Sequence, residues 1–199
     1  MAESKQLPST FTNMLLVMLV LALVSAGALG MTYTLTADQI AANALEKQKQ
    51  ALGAVLPEFS NDPVAEQVHH AQDSRITLYP AKKDGRLIGL GVQSYSEQAF
   101  GGVMTLMVGF DLDGRIIKSE VLSHSETPGL GSKITEPRFA GQFDGLSTPD
   151  FPLKVRKDGG QVDAITAATI SSRAYVDGIN RAQAAAADFA AAYGEGERQ

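Results

Sequence analysis

From Met14 to Tyr33 the only aliphatic polar residues are Ser25 and Thr32, and no charged side chain lies between Lys5 and Asp38. Twenty helical residues rise about 30 Å, the hydrocarbon thickness of a bilayer. The pattern predicts a transmembrane helix over 13–35, preceded by a short tail, 1–12. A cleaved signal peptide is the competing reading, because Ala26-Gly27-Ala28 has the small-x-small form of a cleavage site. Against it, no basic residue but Lys5 leads the segment, and apolar character runs on through Leu29, Met31 and Tyr33. An uncleaved anchor is therefore expected, and so short a leader places the N-terminus in the cytoplasm and the bulk of the chain outside. Ala26, Gly27 and Gly30 give one helix face small enough for a neighbouring span to approach.

Beyond the span the rhythm changes twice. Thr36 before Ala37-Asp38-Gln39 reads as an N-cap, and Ile40, Ala44, Leu45, Leu52 and Val55 follow at helical spacing up to Pro57. Residues 58–74 are polar and punctuated, as in a linker or a variable excursion. From Arg75 the period shortens to that of strands. One hairpin is expected from Arg75–Tyr79 and Arg86–Tyr95 about Lys83-Asp84-Gly85. A second joins Val103–Leu112 to Arg115–Ser123 through a primed Asp113-Gly114 turn, and a third joins Phe151–Arg156 to Gln161–Ile165. Val176, Ile179, Ala186, Phe189 and Tyr193 then recur at helical spacing, which predicts a closing helix over about Ser171–Ala192. The expected fold is α+β, a hairpin-rich domain closed by a C-terminal helix behind one N-terminal transmembrane helix. The segments are a membrane-proximal helix, linker and first hairpin over 36–98, a main domain over 99–193, and a polar tail over 194–199.

Composition narrows the chemistry. The 199 residues carry a net charge of −5 and no basic run, so no nucleic-acid partner is expected. Cysteine is absent, which removes thiolate ligands, iron–sulfur ligation and thiol catalysis together. Neither a metal site nor a catalytic residue is read from the sequence, and no Gly-x-Gly-x-x-Gly or P-loop pattern follows a strand. Any redox chemistry needs an organic cofactor.

Two stretches are dense in groups that hold ligands. His124-Ser125-Glu126-Thr127-Pro128-Gly129-Leu130-Gly131-Ser132-Lys133 follows a strand, and its glycines let backbone N–H groups approach a planar ligand; a plain turn is the simpler alternative. Asp163-Ala164-Ile165-Thr166-Ala167-Ala168-Thr169-Ile170-Ser171-Ser172-Arg173 lies where a strand gives way to the closing helix. A phosphate suits that place, since the first-turn N–H groups are unpaired. An ordinary N-cap by Ser171 or Ser172 fits it equally.

Asp163-x-x-Thr166-Ala167-Ala168-Thr169 resembles the flavinylation motif of the covalent FMN-binding domain family, in which the last Thr carries FMN through a phosphoester. The Glu126-Thr127-Pro128-Gly129-Leu130-Gly131 loop and the Phe100-Gly101-Gly102 lead-in match the same family, in the same order. Ala167 stands where the motif commonly has Gly. With one span and this length, the chain is similar to the G subunits of Rnf electron transport complexes; the related C subunits of sodium-translocating NADH:quinone reductases are the alternative.

The resemblance implies that 99–193 is an FMN-binding domain and that Thr169 is an attachment point rather than a catalytic group, loaded by a separate flavin transferase. It implies that Thr166 hydrogen-bonds the phosphate, that Asp163 helps the transferase recognise the segment or caps the turn, and that Thr127, Gly129 and Leu130 grip the ring, with Ala167, Ala168 and Glu126 as further cofactor-binding residues. His124 and Glu126 are candidates for proton coupling. The partners implied are the membrane and the other subunits of a complex coupling ferredoxin or NAD redox chemistry to Na⁺ or H⁺ movement. A membrane-tethered interaction module without flavin is the reading from another class.

Overall fold

The computed structural model describes residues 8 and 10–196. It divides into two units, Met1–Glu46 and Lys47–Gln199. The described part of the first unit is helical from Phe11, within helix α1 (Phe11–Val55), and its apolar side chains are exposed along the whole span. No break occurs at Thr36, contrary to the cap expected there. Its Oγ1 donates instead to the Thr32 carbonyl at 2.9 Å, a back-bond that lets a threonine sit inside a helix without competing for its N–H groups.

In the second unit five antiparallel strands form a meander in chain order: β1 (Val68–His69), β2 (Thr77–Lys83), β3 (Arg86–Ala99), β4 (Gly102–Phe110) and β5 (Ile116–Ser123). Asp84 and Gly85 both have positive φ, 52° and 78°, the requirement of a primed two-residue turn whose twist matches the strands it joins. The β4–β5 turn departs from that pattern. Asp111 Oδ1 accepts the N–H groups of Asp113 and Arg115 at 3.0 and 2.9 Å, and Gly114 takes a φ of 73° while Asp113 does not. An aspartate ahead of the turn has tied the backbone into a wider loop.

One face of the sheet packs against helix α3 (Thr169–Gly196), where Leu78, Leu90, Val92, Leu106, Val108 and Phe110 meet Tyr175, Ile179, Ala182 and Ala186. The opposite face packs against Ala51, Leu52, Val55 and Leu56 through Tyr79, Ala81 and Met107. A central sheet buried on both faces explains the long apolar runs of β3 and β4, each fully buried large aliphatic side chain contributing about 1.5–3 kcal/mol. Alanines at the α3 contact let helix and sheet approach, and Ser94 Oγ, buried between them, donates to the Gly178 carbonyl at 2.7 Å.

The stretch 58–74 is docked rather than a free linker. Val68 and His69 pair with Leu78 and Thr77. At the register shift between Ala81 and Lys82, Asn61 Nδ2 donates to the Pro80 carbonyl at 2.9 Å and Asn61 Oδ1 accepts the Lys82 N–H at 2.8 Å. One side-chain amide thus does the work of a neighbouring strand.

The third hairpin does not form. A parallel bridge, Val155 to Val162, is its one strand-like contact, and Arg156–Asp158 is a 3₁₀ turn. The reason is Asn180 on α3, whose Oδ1 accepts the Leu153 N–H at 2.8 Å while its Nδ2 donates to the Leu153 carbonyl at 3.0 Å. With the Leu153 backbone satisfied by a side chain, no partner strand is required. Residues 194–196, expected in a polar tail, are the last of α3, while 197–199 lie outside the described residues.

Candidate functional site

Helix α3 begins at Thr169, so Ser171 and Ser172 lie inside its first turn and neither is the cap. Each is buried with a specific task. Ser172 Oγ accepts the Ile165 N–H and donates to the Ala168 carbonyl, both at 3.0 Å, drawing the motif loop onto the helix end. Ser171 Oγ donates to Glu126 Oε2 at 2.5 Å, which ties the helix to the loop after β5.

Glu126 is only 5% exposed. Its Oε1 accepts the Gly101 N–H at 3.3 Å, and its own N–H donates to His124 Nδ1 at 3.2 Å. Three segments far apart in sequence, 100–102, 124–131 and 168–172, therefore meet at one carboxylate. Each carboxylate oxygen accepts a hydrogen bond, Oε2 from Ser171 and Oε1 from Gly101, as burial of a polar group requires. The two glycines at this crossing are required by space: a Cβ on Gly131 would lie 2.4 Å from Glu126 Oε2 and 2.5 Å from Ser171 Oγ, and one on Gly101 would lie 1.8 Å from the Ser125 carbonyl oxygen.

Above the carboxylate lies a cavity of about 390 Å³ lined by Phe100, Glu126, Thr127, Leu130, Gly131, Ala167, Ala168, Thr169, Ile170 and Ser171. Phe100, Leu130 and Ile170 are 68%, 45% and 49% exposed, a set of large apolar groups left in solvent about one opening. The loop beneath is internally braced. The Thr127 carbonyl accepts the N–H groups of Leu130 and Ser132 at 3.2 Å, and Ser132 Oγ accepts the Gly129 N–H at 2.9 Å. It is anchored from below by helix α2 (Pro137–Ala140) and the turn after it, from which Phe139 and Phe143 respectively pack on Tyr175 of α3 with ring centroids 5.2 and 5.0 Å away. The Tyr175 hydroxyl shares a hydrogen bond with Ser119 Oγ at 2.8 Å, and burial pushes its pKa above the ordinary phenol value.

Asp163 and Thr166 face elsewhere. They line a second cavity of about 400 Å³ with Lys133, Glu136, Arg138, Phe139, Gln142, Ala164 and Ile165. Asp163 Oδ1 pairs with Arg156 Nε at 2.6 Å. Its backbone is gripped by Gln142, which accepts the Asp163 N–H at 2.7 Å and donates to its carbonyl at 3.2 Å. Ala167, which follows Thr166 and lines the first cavity, has a φ of 62°, a left-handed conformation that costs a non-glycine residue about 1–2 kcal/mol. The preference of the motif for Gly at this place has that physical basis.

Sequence reasoning missed Lys157, whose Nζ donates to Thr169 Oγ1 at 3.1 Å. It sits in a Lys-Asp-Gly-Gly stretch that reads as turn and nothing more. The signal was that a cation falls just ahead of the motif. His124, a candidate for proton coupling, is absent from the lining of either cavity; its ring orients the Glu126 backbone instead.

Residues 100–184 match the FMN-binding domain model, and residues 16–55 match the RnfG N-terminal region. The G subunit of the ion-translocating oxidoreductase complex of Methanosarcina acetivorans is 37% identical over 92% of this chain and 95% of its own length. The chain belongs to the family of G subunits of ion-translocating oxidoreductase complexes. Other members extend the match, at 40% identity in Stutzerimonas stutzeri, over 82% of this chain and 75% of that one, and at 34% in Vibrio cholerae, over 84% and 86%. Among solved structures, NqrC of Shewanella oneidensis aligns with a TM-score of 0.42 at 24% identity, covering 54% of this chain and 52% of that one. The C subunit of the Na⁺-translocating NADH-quinone reductase of Parabacteroides distasonis aligns with a TM-score of 0.47 at 20% identity, covering 73% and 83%. The FMN-binding domain of this family member thus includes Phe100, the Glu126 crossing, the motif loop and most of α3.

Proposed function

We propose that the chain is the FMN-carrying redox subunit of a membrane-bound, ion-translocating oxidoreductase complex, with FMN held by a phosphoester to Thr169. The observation that carries this reading is the position of the Thr169 hydroxyl. It stands in the first turn of α3 on the wall of an apolar-rimmed cavity of about 390 Å³, a volume within the range of small-molecule sites. The donor set suits FMN. A hydroxyl and a lysine ammonium meet the phosphate end, and Phe100, Leu130 and Ile170 offer flat or aliphatic faces to the ring.

When bound, FMN supplies reversible electron storage that no side chain of this chain offers. The chain's own residues would attach it at Thr169 and shield it from water with the cavity wall. Thr127 and Leu130, in the cavity wall, would border the ring and Glu126 braces the cavity floor, while Gly129 is not part of that wall and serves the loop through its N–H bond to Ser132 Oγ. Asp163 and Thr166 act on the neighbouring side of the loop, and Ala167 and Ala168 supply the tight bend. Attachment is the work of an external flavin transferase: among the described residues the hydrogen-bond partner of the Thr169 hydroxyl is the Lys157 ammonium, a donor that does not activate a weak hydroxyl nucleophile.

Helix α1 anchors the protein in the membrane, with the N-terminus in the cytoplasm and the FMN domain outside. No charged side chain lies between Lys5 and Asp38, so the span itself offers no ion pathway and the coupling belongs to other subunits. The test is in-gel fluorescence of the denatured chain from cells with an active flavin transferase. A fluorescent wild-type band and a dark Thr169→Ala band are expected. A dark wild-type band favours a flavin-free tether.

A further inference from the structure

The three residues of the 3₁₀ turn Arg156–Asp158 point to three different partners around Thr169. Arg156 Nε pairs with Asp163 Oδ1 at 2.6 Å, at the start of the motif. Asp158 takes Arg173 of α3 in a two-point grip, Nε at 2.8 Å and Nη2 at 2.6 Å, and this guanidinium holds the Asp158 carboxyl below the usual carboxylate range. Lys157, between them, directs its ammonium to Thr169 Oγ1 at 3.1 Å and forms no ion pair among the described residues. Both flanking charges clamp the turn, one to the motif loop and one to the helix. The central cation adds to the field that lowers the neighbouring Asp158 carboxyl, but its hydrogen bond goes to the Thr169 hydroxyl rather than to an anion.

We infer that Lys157 is the positioning cation for flavin attachment: it orients the Thr169 hydroxyl and, once the bond is made, neutralises the phosphodiester. The inference rests on the reading of Thr169 as the attachment point. In the transfer, Thr169 Oγ bonds to the FMN-side phosphorus of FAD and the phosphoanhydride P–O bond breaks. AMP leaves with the bonding electron pair, and the hydroxyl proton passes to a base on the transferase. Lys157 stays protonated throughout. Its N–H shifts from the Thr169 oxygen to a non-bridging phosphoryl oxygen, a charge-assisted hydrogen bond. Asp163 contributes at one remove, since its pairing with Arg156 seats the turn.

The experiment uses the full-length chain, produced without flavin and purified in detergent, mixed with purified flavin transferase, Mg²⁺ and FAD. Intact mass followed over time gives the rate of FMN addition. Lys157→Met is expected to slow it about fivefold, the scale of a charge-assisted contact at a part-exposed site, and to flatten its salt dependence. Lys157→Arg is expected to restore the wild-type rate, with an unchanged thermal midpoint in both variants. A Lys157→Met chain loaded at the wild-type rate overturns the inference and leaves the Thr169 reading standing. So does a Lys157→Arg chain as slow as Lys157→Met, which assigns the effect to shape rather than charge. A wild-type chain that gains no FMN, or a Thr169→Ala chain that gains it, overturns the attachment reading and this inference with it.

Discussion

Glu126 and Ser171, 45 residues apart, meet through a 2.5 Å hydrogen bond beneath the Thr169 cavity. The bond fixes the loop after β5 to the first turn of α3, and Gly131 is the spacer that permits it. Gly131→Ala places a Cβ within 2.5 Å of both partners, so the loop must move. A loss of about 2–3 kcal/mol is expected, by analogy with overpacked cores, read as a lower denaturation midpoint and a reduced extent of FMN loading.

Removing the carboxylate acts on the same crossing from the other side. Glu126→Ala leaves Ser171 Oγ and the Gly101 N–H without their acceptor. Each buried donor left unpaired costs about 1–3 kcal/mol. Glu126→Gln keeps an acceptor oxygen and is expected to lose less. Chemical denaturation of the three proteins side by side checks the order wild type, Gln, Ala.

At Ala167 the prediction runs the other way. Its φ of 62° is costly for any residue with a Cβ. Ala167→Gly relieves that strain and gives back part of it as unfolded-state entropy. The expected result is a gain of roughly 0.5–1 kcal/mol with FMN loading intact, measured by denaturant titration.

The Asp158–Arg173 pair gives a pH dependence with a definite sign. Arg173 depresses the Asp158 pKa in the folded state, so the pair's contribution is complete above the unfolded aspartate value, about 3.9. It is lost as the pH falls through the lower, folded value. Asp73, depressed first by the Tyr95 hydroxyl bond, follows the same rule. The difference in thermal midpoint between wild type and Asp158→Asn is therefore expected to be small, as an exposed pair requires, constant from neutral pH to about pH 4, and to vanish in stronger acid.

Much of the fold was legible because strands and helices have different periods. The β2–β3 and β4–β5 pairings and the closing helix follow from alternation, Gly-containing turns and helical spacing. What was hidden came from single side chains that replace backbone partners. Asn180 satisfies Leu153 and abolishes a hairpin, and Asn61 bridges a register shift within a stretch whose polarity reads as linker. Neither carries a periodic signal. At the site, the motif residues Glu126, Gly131, Ala168 and Thr169 come together at one cavity, while Asp163 and Thr166 line the other. Spacing along a loop does not say which way each side chain turns. Lys157 escaped notice for a similar reason, since only the fold of 153–162 brings it to Thr169.

The central claim is a bond at one oxygen atom, and fragment mass spectrometry of the natively expressed chain tests it most directly. Trypsin releases Asp158–Arg173, which contains Thr169 together with Thr166, Ser171 and Ser172. The account predicts that this peptide carries the mass of a phosphoester-linked FMN and that fragmentation places it on Thr169. An unmodified peptide from cells with active transferase, or FMN on Thr166, Ser171 or Ser172, would contradict it.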